Sequence, residues 1–138
     1  MKGAVEPVVG RYLHLDHAGR HYRIYFETAG PDGPKGGIPL VCLHTAGSDT
    51  RQYRGLLNAA SVTDRFQVIA FDLPFHGKSS PPAGWHNEEY RLTADSYTGI
   101  IMAFIAALGL ERPVVMGCSI GGRVVLHLAL RHPRRFAP

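Results

Sequence analysis

The sequence predicts an α/β fold, a three-layer sandwich whose mostly parallel sheet begins with an antiparallel hairpin. Two observations predict the parallel part: short, uninterrupted apolar runs recur along the chain, and helical segments separate them. Such runs are typical of strands buried on both faces, and their alternation with helices is typical of parallel sheets. A third observation, an alternating apolar and polar segment near the N-terminus, indicates a strand with one buried face.

The predicted hairpin consists of strands over residues 8–15 and 21–28, joined by a polar turn. In the second strand, Tyr22, Ile24 and Phe26 alternate with more polar residues, which predicts one face packed on the core. The glycine and proline residues that follow, within residues 29–37, predict a loop. An antiparallel hairpin of this kind is compatible with the edge of a parallel sheet.

Three further strands and three helices are predicted to alternate along the rest of the chain. The apolar runs that predict the strands cover residues 38–44, 66–73 and 113–118. Helices are predicted over residues 50–60 and 120–131, with a third after a long polar loop at residues 74–89. The third helix is the clearest, because apolar side chains recur on one face and Gly109 follows as a C-terminal cap. Its apolar face consists of Tyr97, Ile100, Ile101, Phe104, Ile105 and Leu108.

Length and composition exclude several classes of function. The 138 residues suffice for one domain with a buried core. The net charge is +4, but the basic residues are dispersed, and the densest group, residues 131–136, follows a predicted helix whose C-terminus favours cations. We therefore do not expect a nucleic-acid partner. No apolar run could span a bilayer and the N-terminus lacks the apolar core of a signal peptide, so we expect a cytoplasmic protein without a membrane partner.

The two cysteines predict neither a disulfide framework nor a metal site. Cys42 and Cys118 each lie in or at the end of a predicted buried strand, and no C-x-x-C spacing is present. Both are therefore expected to be buried free thiols. The sequence also lacks a phosphate-binding loop and a dinucleotide fingerprint, so no cofactor is predicted.

A serine stands between glycines where a predicted strand meets a predicted helix. The segment Gly117-Cys118-Ser119-Ile120-Gly121 has the pattern G-x-S-x-G, which carries meaning only in this strand-to-helix context. Small residues on both sides leave room for a sharp turn that raises the hydroxyl clear of the sheet, beside a helix N-terminus that favours negative charge. The alternative is an ordinary turn in which Ser119 only caps the helix.

Three segments together resemble the α/β-hydrolase family, over nearly the whole chain from about residue 20. Residues 43–53 resemble the family's His-Gly loop after the third strand, and residues 71–82 its Asp-x-x-Gly-x-Gly-x-Ser loop after the fourth. Residues 117–122 match its nucleophile elbow, the turn that carries the catalytic side chain. Their order and spacing are more specific than any one of them.

The resemblance implies an acyl-transfer site. It assigns Ser119 as the nucleophile, and the backbone N–H groups of Ile120 and Ala46 as the oxyanion hole. A serine at this position points to a small-molecule carbonyl substrate such as an ester, thioester or lactone, with no cofactor.

The two loops supply the candidates for the substrate pocket, His44, Thr45, Phe75 and His76. The resemblance makes His44 a structural member of the oxyanion loop. Thr45 stands where the family usually has glycine, and its β-branched side chain restricts the loop. Phe75 also replaces a usual glycine; it either lines the pocket or packs under the loop.

The base and acid that such a serine needs are not evident. In the family both follow the nucleophile, but only His127 and His132 do so here, and both are expected to be ordinary helix residues. His76 and His86, on the loop after the fourth strand, are alternative bases. Asp72 resembles a loop-ordering residue rather than the catalytic acid.

Residues 1–138 are thus interpreted as the N-terminal part of a single α/β-hydrolase core domain, without its C-terminal part or any cap. The strand at residues 113–118 is expected to leave an open edge on the sheet, which invites another strand. The partner is expected to be a complementary C-terminal chain that supplies acid and histidine, or a second copy of this chain. The chain alone is then expected to be inactive. A non-catalytic ligand-binding member of the same fold remains the alternative.

Overall fold

The computed structural model describes residues 1–31 and 36–138, and it contains a five-stranded sheet with helices on both faces. The strands are β1 (Val9–His17), β2 (Arg20–Ala29), β3 (Ile38–Leu43), β4 (Phe66–Phe71) and β5 (Val114–Gly117). The helices are α1 (Arg54–Leu57), α2 (Ala60–Thr63), α3 (Ala94–Ala107) and α4 (Ile120–Arg131), with 3₁₀ turns at Thr50–Tyr53 and Trp85–Asn87. The middle of the loop predicted at residues 29–37 lies outside the described residues.

The sheet has the order β1-β2-β4-β3-β5 and confirms the predicted architecture. The hairpin β1–β2 is antiparallel and turns through Ala18 and Gly19, whose φ angles of +50° and +73° match the right-handed twist of the strands. The strand β4 joins β2 antiparallel, and β3 pairs in parallel with both β4 and β5. The carboxyl ends of β3 and β5 therefore lie side by side, with Leu43 opposite Gly117.

Two apolar cores, one on each face of the sheet, produce the three layers. The larger lies between the sheet and helices α3 and α4, where the ring of Phe104 stacks on Phe71 with centroids 4.2 Å apart. The helix α3 begins at Thr93, whose hydroxyl accepts the Ser96 N–H at 3.0 Å, and Gly109 follows its end at φ +65°. The smaller core covers the other face with Tyr53 and Leu57.

The helix predicted over residues 50–60 is wrong as a single element. The structure contains a 3₁₀ turn followed by two four-residue helices in this region. The side chain of Asn58 donates to the Arg54 carbonyl at 3.2 Å and so competes with the next helical turn. Apolar spacing alone does not reveal this competition.

The strand β5 forms the last strand of the sheet, with β3 as its partner among the described residues. Met116 within β5 is 39% exposed, and Leu126 and Leu130 on α4 are 66% and 82% exposed. This arrangement agrees with the open edge that the sequence predicts. No helix in the described part of the chain is long and apolar enough to cross a membrane.

The prediction of buried thiols is correct for Cys42 and wrong for Cys118. Cys42 is fully buried in β3, and burial raises its pKa to about 12. Cys118 is exposed, because it lies one residue beyond β5, where the chain has left the sheet and turns toward α4.

Candidate active site

Ser119 occupies a strained turn between β5 and α4. Its backbone has φ +55° and ψ −116°. Residues other than glycine rarely adopt this conformation, which costs them about 1–3 kcal/mol. Its side chain is exposed and makes no capping hydrogen bond to α4. The geometry therefore does not have the features of an ordinary N-cap serine, and a strained residue of this kind is typical of functional sites.

Two glycines let the chain turn this sharply. A Cβ atom on Gly117 would overlap the backbone of Gly121, and a Cβ atom on Gly121 would overlap the Leu43 carbonyl at the end of β3. The Gly121 N–H donates to the Cys118 carbonyl at 2.9 Å, which closes the turn around Ser119. The small residues of the motif are thus required because three stretches of backbone meet in one place.

The two proposed oxyanion donors follow neighbouring strand ends. Ile120 is the first residue of α4, and Ala46 lies three residues beyond Leu43, which pairs with Gly117. Neither N–H donates to a backbone acceptor within the described ranges. The loop that carries Ala46 is held by the Thr45 N–H, which donates to Oε1 of Gln52 at 2.8 Å. No sequence pattern indicates this role of Gln52, because only the folded turn places its side chain next to the Thr45 N–H.

The structure buries His44 rather than placing it on the wall of a pocket. Only 1% of His44 is exposed. Its Nδ1–H donates to the Thr45 carbonyl at 2.7 Å, and its Nε2 accepts the Leu73 N–H at 3.1 Å. Both nitrogens are engaged, so His44 cannot serve as the base; it joins the oxyanion loop to the loop after β4.

The free energy of unfolding is expected to fall as the pH drops below about 6.5, the ordinary pKa of histidine. Burial lowers the pKa of His44, so the folded state holds this ring neutral while the unfolded chain takes up a proton. One such proton gives a slope of at most about 1.4 kcal/mol per pH unit, with the stability fully present above pH 6.5. The measurement is urea unfolding at pH 5.5 and 7.5.

The variant His44→Gln is expected to be less stable and to have a smaller pH slope. The exposed His86→Gln is the matched control and should keep the wild-type slope. An unchanged slope in His44→Gln would contradict this account.

Asp72 orders the loop after β4, as expected from the sequence. Its carboxylate is buried and accepts the backbone N–H groups of Thr50 and Lys78, both at 2.7 Å. Its carbonyl accepts the Ser79 hydroxyl at 2.6 Å. All of these partners belong to loops or turns, so Asp72 holds together the loops that lie beneath the site.

The described residues do not supply Ser119 with a base. The side-chain hydrogen bonds of histidines within residues 1–31 and 36–138 do not include one to the Ser119 hydroxyl. His76 is half-buried and its Nδ1–H donates to the Pro74 carbonyl at 3.0 Å, with its ring 5.1 Å from that of His44. His127 lies on α4, His132 directly follows it, and His86 is exposed in the turn Trp85–Asn87.

Two cavities that share Leu92 lie along the loop that precedes α3. The first, of about 350 Å³, is lined by the aromatic rings of Phe75, Trp85 and Tyr90. The second, of about 220 Å³, reaches Ile120. In the described part of the chain, no cluster of three histidine, cysteine or acidic side chains is placed to hold a metal ion.

Comparison with known proteins connects this geometry to one family. A family model described as alpha/beta hydrolase fold matches residues 38–137. A dihydrolipoyllysine-residue acetyltransferase component of the acetoin cleaving system from Pseudomonas putida is 32% identical over 105 residues, 76% of this chain and 26% of that protein. Residue identities over such a length indicate common ancestry of the matched segment.

Solved structures share the fold. A bacterial membrane phospholipase A superposes with a TM-score of 0.76 at 25% identity, over 94% of this chain and 37% of that one. An enol-lactonase from Burkholderia xenovorans LB400 superposes with a TM-score of 0.73 at 21% identity, over 90% of this chain and 44% of that one. The chain thus spans less than half the length of each protein that it matches here.

Proposed function

The chain belongs to the α/β-hydrolase fold family, and on this basis we propose that it is the nucleophile-bearing part of a serine hydrolase. The proposed substrates are esters, thioesters or lactones. The observation that carries the proposal is the strained backbone of Ser119, held between glycines that tolerate no side chain. The similarity to a phospholipase A, whose name states ester hydrolysis, supports it.

In the proposed reaction the Ser119 Oγ attacks the substrate carbonyl carbon and loses its proton to a base. The carbonyl oxygen becomes an oxyanion, which accepts hydrogen bonds from the N–H groups of Ile120 and Ala46. The base then returns this proton to the leaving oxygen or sulfur as the tetrahedral intermediate collapses, which breaks the bond to the alcohol or thiol and leaves an acyl group on Ser119. Water, deprotonated by the same base, then releases the acid and restores the hydroxyl.

The base and its acid come, in this proposal, from a complementary C-terminal segment that pairs with β5. Three observations support this partner. The described residues leave Ser119 without a base, they pair β5 on one side alone, and the chain spans less than half the length of its relatives. The exposed Leu126 and Leu130 on α4 would be covered by the same segment. A second copy of this chain has no acid or histidine after Ser119 in a position to complete the site and is the less favoured partner.

The proposal is tested by covalent labelling of the purified protein. The sample is treated with fluorophosphonate-biotin, its intact masses are recorded under denaturing conditions, and the label is located by peptide mapping. We expect one phosphonyl group on Ser119 in samples that contain a second chain of comparable mass, and no labelling of the 138-residue chain alone.

Three results would each contradict a part of the proposal. A label on another serine would remove Ser119 from its role. Absence of label in a sample that contains both chains would favour a non-catalytic, ligand-binding member of the fold. Rapid labelling of Ser119 in the isolated chain would show instead that no partner is needed for the base.

A further inference from the structure

The first cavity has an aromatic wall built by one loop. The ring of Phe75 lies 4.7 Å from Tyr90 and 6.2 Å from Trp85, measured between centroids. Phe75 is 38% exposed, Trp85 48% and Tyr90 50%, so part of each residue is open to a ligand. The cavity volume of about 350 Å³ lies within the range of small-molecule sites.

The chain tolerates backbone strain to place Phe75 in this wall. Its φ angle is +70°, a value that costs an L-residue energy and that glycine would adopt freely. The family pattern has glycine at this position, yet here a large ring occupies it. Packing under the loop does not account for this, because the ring is part of the cavity lining.

The charges around the cavity neutralise one another. Arg20 donates to both carboxylate oxygens of Glu88, at 2.9 and 3.0 Å, and Arg91 pairs with Glu89 at 2.7 Å. Burial raises the pKa of Tyr90, which keeps this phenol uncharged. Among the described lining residues, the arginines and glutamates are thus paired with one another, and His17 is a further titratable group. This pairing and the aromatic surface favour an uncharged ligand over a cation or an anion.

A shared lining residue, Leu92, places the cavity next to the one that reaches Ile120 of the nucleophile elbow. We propose that the aromatic cavity binds a neutral aromatic group of the carbonyl substrate and so places the ester or thioester of that substrate toward Ile120. This inference rests on the function proposed above. The ligand class is thus an uncharged arylalkyl ester rather than a choline-type ester or a free carboxylate.

Trp85 provides a direct readout, because it is the single tryptophan of the chain and lies in the wall. The variant Ser119→Ala, which cannot turn over an ester, is titrated with ethyl phenylacetate while the Trp85 emission is recorded. We expect a saturable blue shift as the half-exposed indole becomes covered. Acetylcholine and phenylacetate anion serve as the charged probes and are expected to bind at least tenfold more weakly, about the effect of one strong interaction.

The variant Phe75→Gly separates a binding role from a structural one. It is expected to weaken the binding of ethyl phenylacetate about tenfold, because the aromatic ring is lost. The protein is expected to stay folded, because glycine adopts a positive φ without strain. Arg112→Gly, which also places glycine at a positive φ of +44° but outside the cavity lining, is the control and should bind normally.

The outcomes are distinguishable from those of the labelling test. Any of three results would overturn the aromatic-ester inference. These are the absence of a saturable shift in Trp85 emission, binding of ethyl phenylacetate by Phe75→Gly as tight as without this substitution, and tighter binding of acetylcholine than of ethyl phenylacetate. Labelling of Ser119 without a Trp85 response would overturn this inference alone. A Trp85 response without labelling of the two-chain sample would overturn only the serine mechanism and would leave a site for neutral aromatic ligands.

Discussion

Replacing Ser119 with glycine is expected to abolish fluorophosphonate labelling of the two-chain sample and to raise the free energy of unfolding of the 138-residue chain by about 1 kcal/mol. The loss of labelling follows because the hydroxyl is the reacting group. The gain in stability follows because φ +55° with ψ −116° is strained for serine and allowed for glycine. The gain is limited, since glycine also increases the entropy of the unfolded chain.

Comparison with Ser119→Ala separates the two effects. Alanine also removes the hydroxyl but keeps the Cβ atom, so labelling should disappear while the stability stays within about 0.5 kcal/mol of wild type. Intact mass measures labelling in the two-chain sample, and urea unfolding measures the stability of the same variants as isolated chains. Residual labelling in either variant, or a loss of stability in Ser119→Gly, would show that this turn is not a strained nucleophile site.

Replacing Gly121 with alanine is expected to lower the free energy of unfolding by about 3 kcal/mol. Glycine to alanine within a helix is usually stabilising, by up to about 1 kcal/mol. Here the added methyl group would overlap the Leu43 carbonyl, so α4 must move away from the end of β3. This movement would also stretch the hydrogen bond from the Cys118 N–H to Leu43, which is already 3.4 Å long.

Gly55→Ala is the matched control for this prediction. Gly55 lies in α1, and an added Cβ atom there meets nothing within 4 Å. The control should be as stable as wild type or slightly more stable, as judged by urea unfolding monitored by circular dichroism. A stability of Gly121→Ala within 1 kcal/mol of wild type would show that α4 can move without cost.

The parts of the fold that local pattern specifies could be predicted. The runs in β3 and β4 are continuous because both of their faces are covered, and this property is visible in the sequence itself. The sharp turn at Ser119 could also be predicted, since the glycines that allow it lie within two residues of Ser119 in the sequence. The expectation that Asp72 orders its loop came from the family resemblance, and the backbone N–H groups that it binds agree.

Features that depend on distant contacts could not be predicted. The sequence does not reveal that both nitrogens of His44 are engaged, because Leu73 lies 29 positions away. The sequence suggests that Phe75, Trp85 and Tyr90 form an aromatic pocket lining, whereas the contacts between their rings depend on the path of an irregular loop, for which no periodicity exists. The exposure of Cys118 depends on where β5 ends, and strand ends are the least certain part of such a prediction.

The buried ring of His44 hydrogen-bonds both loops of the site and so couples their positions. Thr45 and Leu73 are bonded to opposite nitrogens of this ring, and Phe75 follows Leu73 by two residues, as Ala46 follows His44. A displacement of the aromatic wall is therefore transmitted to the donor that would hold the oxyanion. Misplacement of a catalytic group by 1 Å can cost on the order of 100-fold in rate. In the hydrolase proposed above, a substrate that fits the aromatic cavity poorly would then lose both affinity and alignment of its carbonyl with the oxyanion donors.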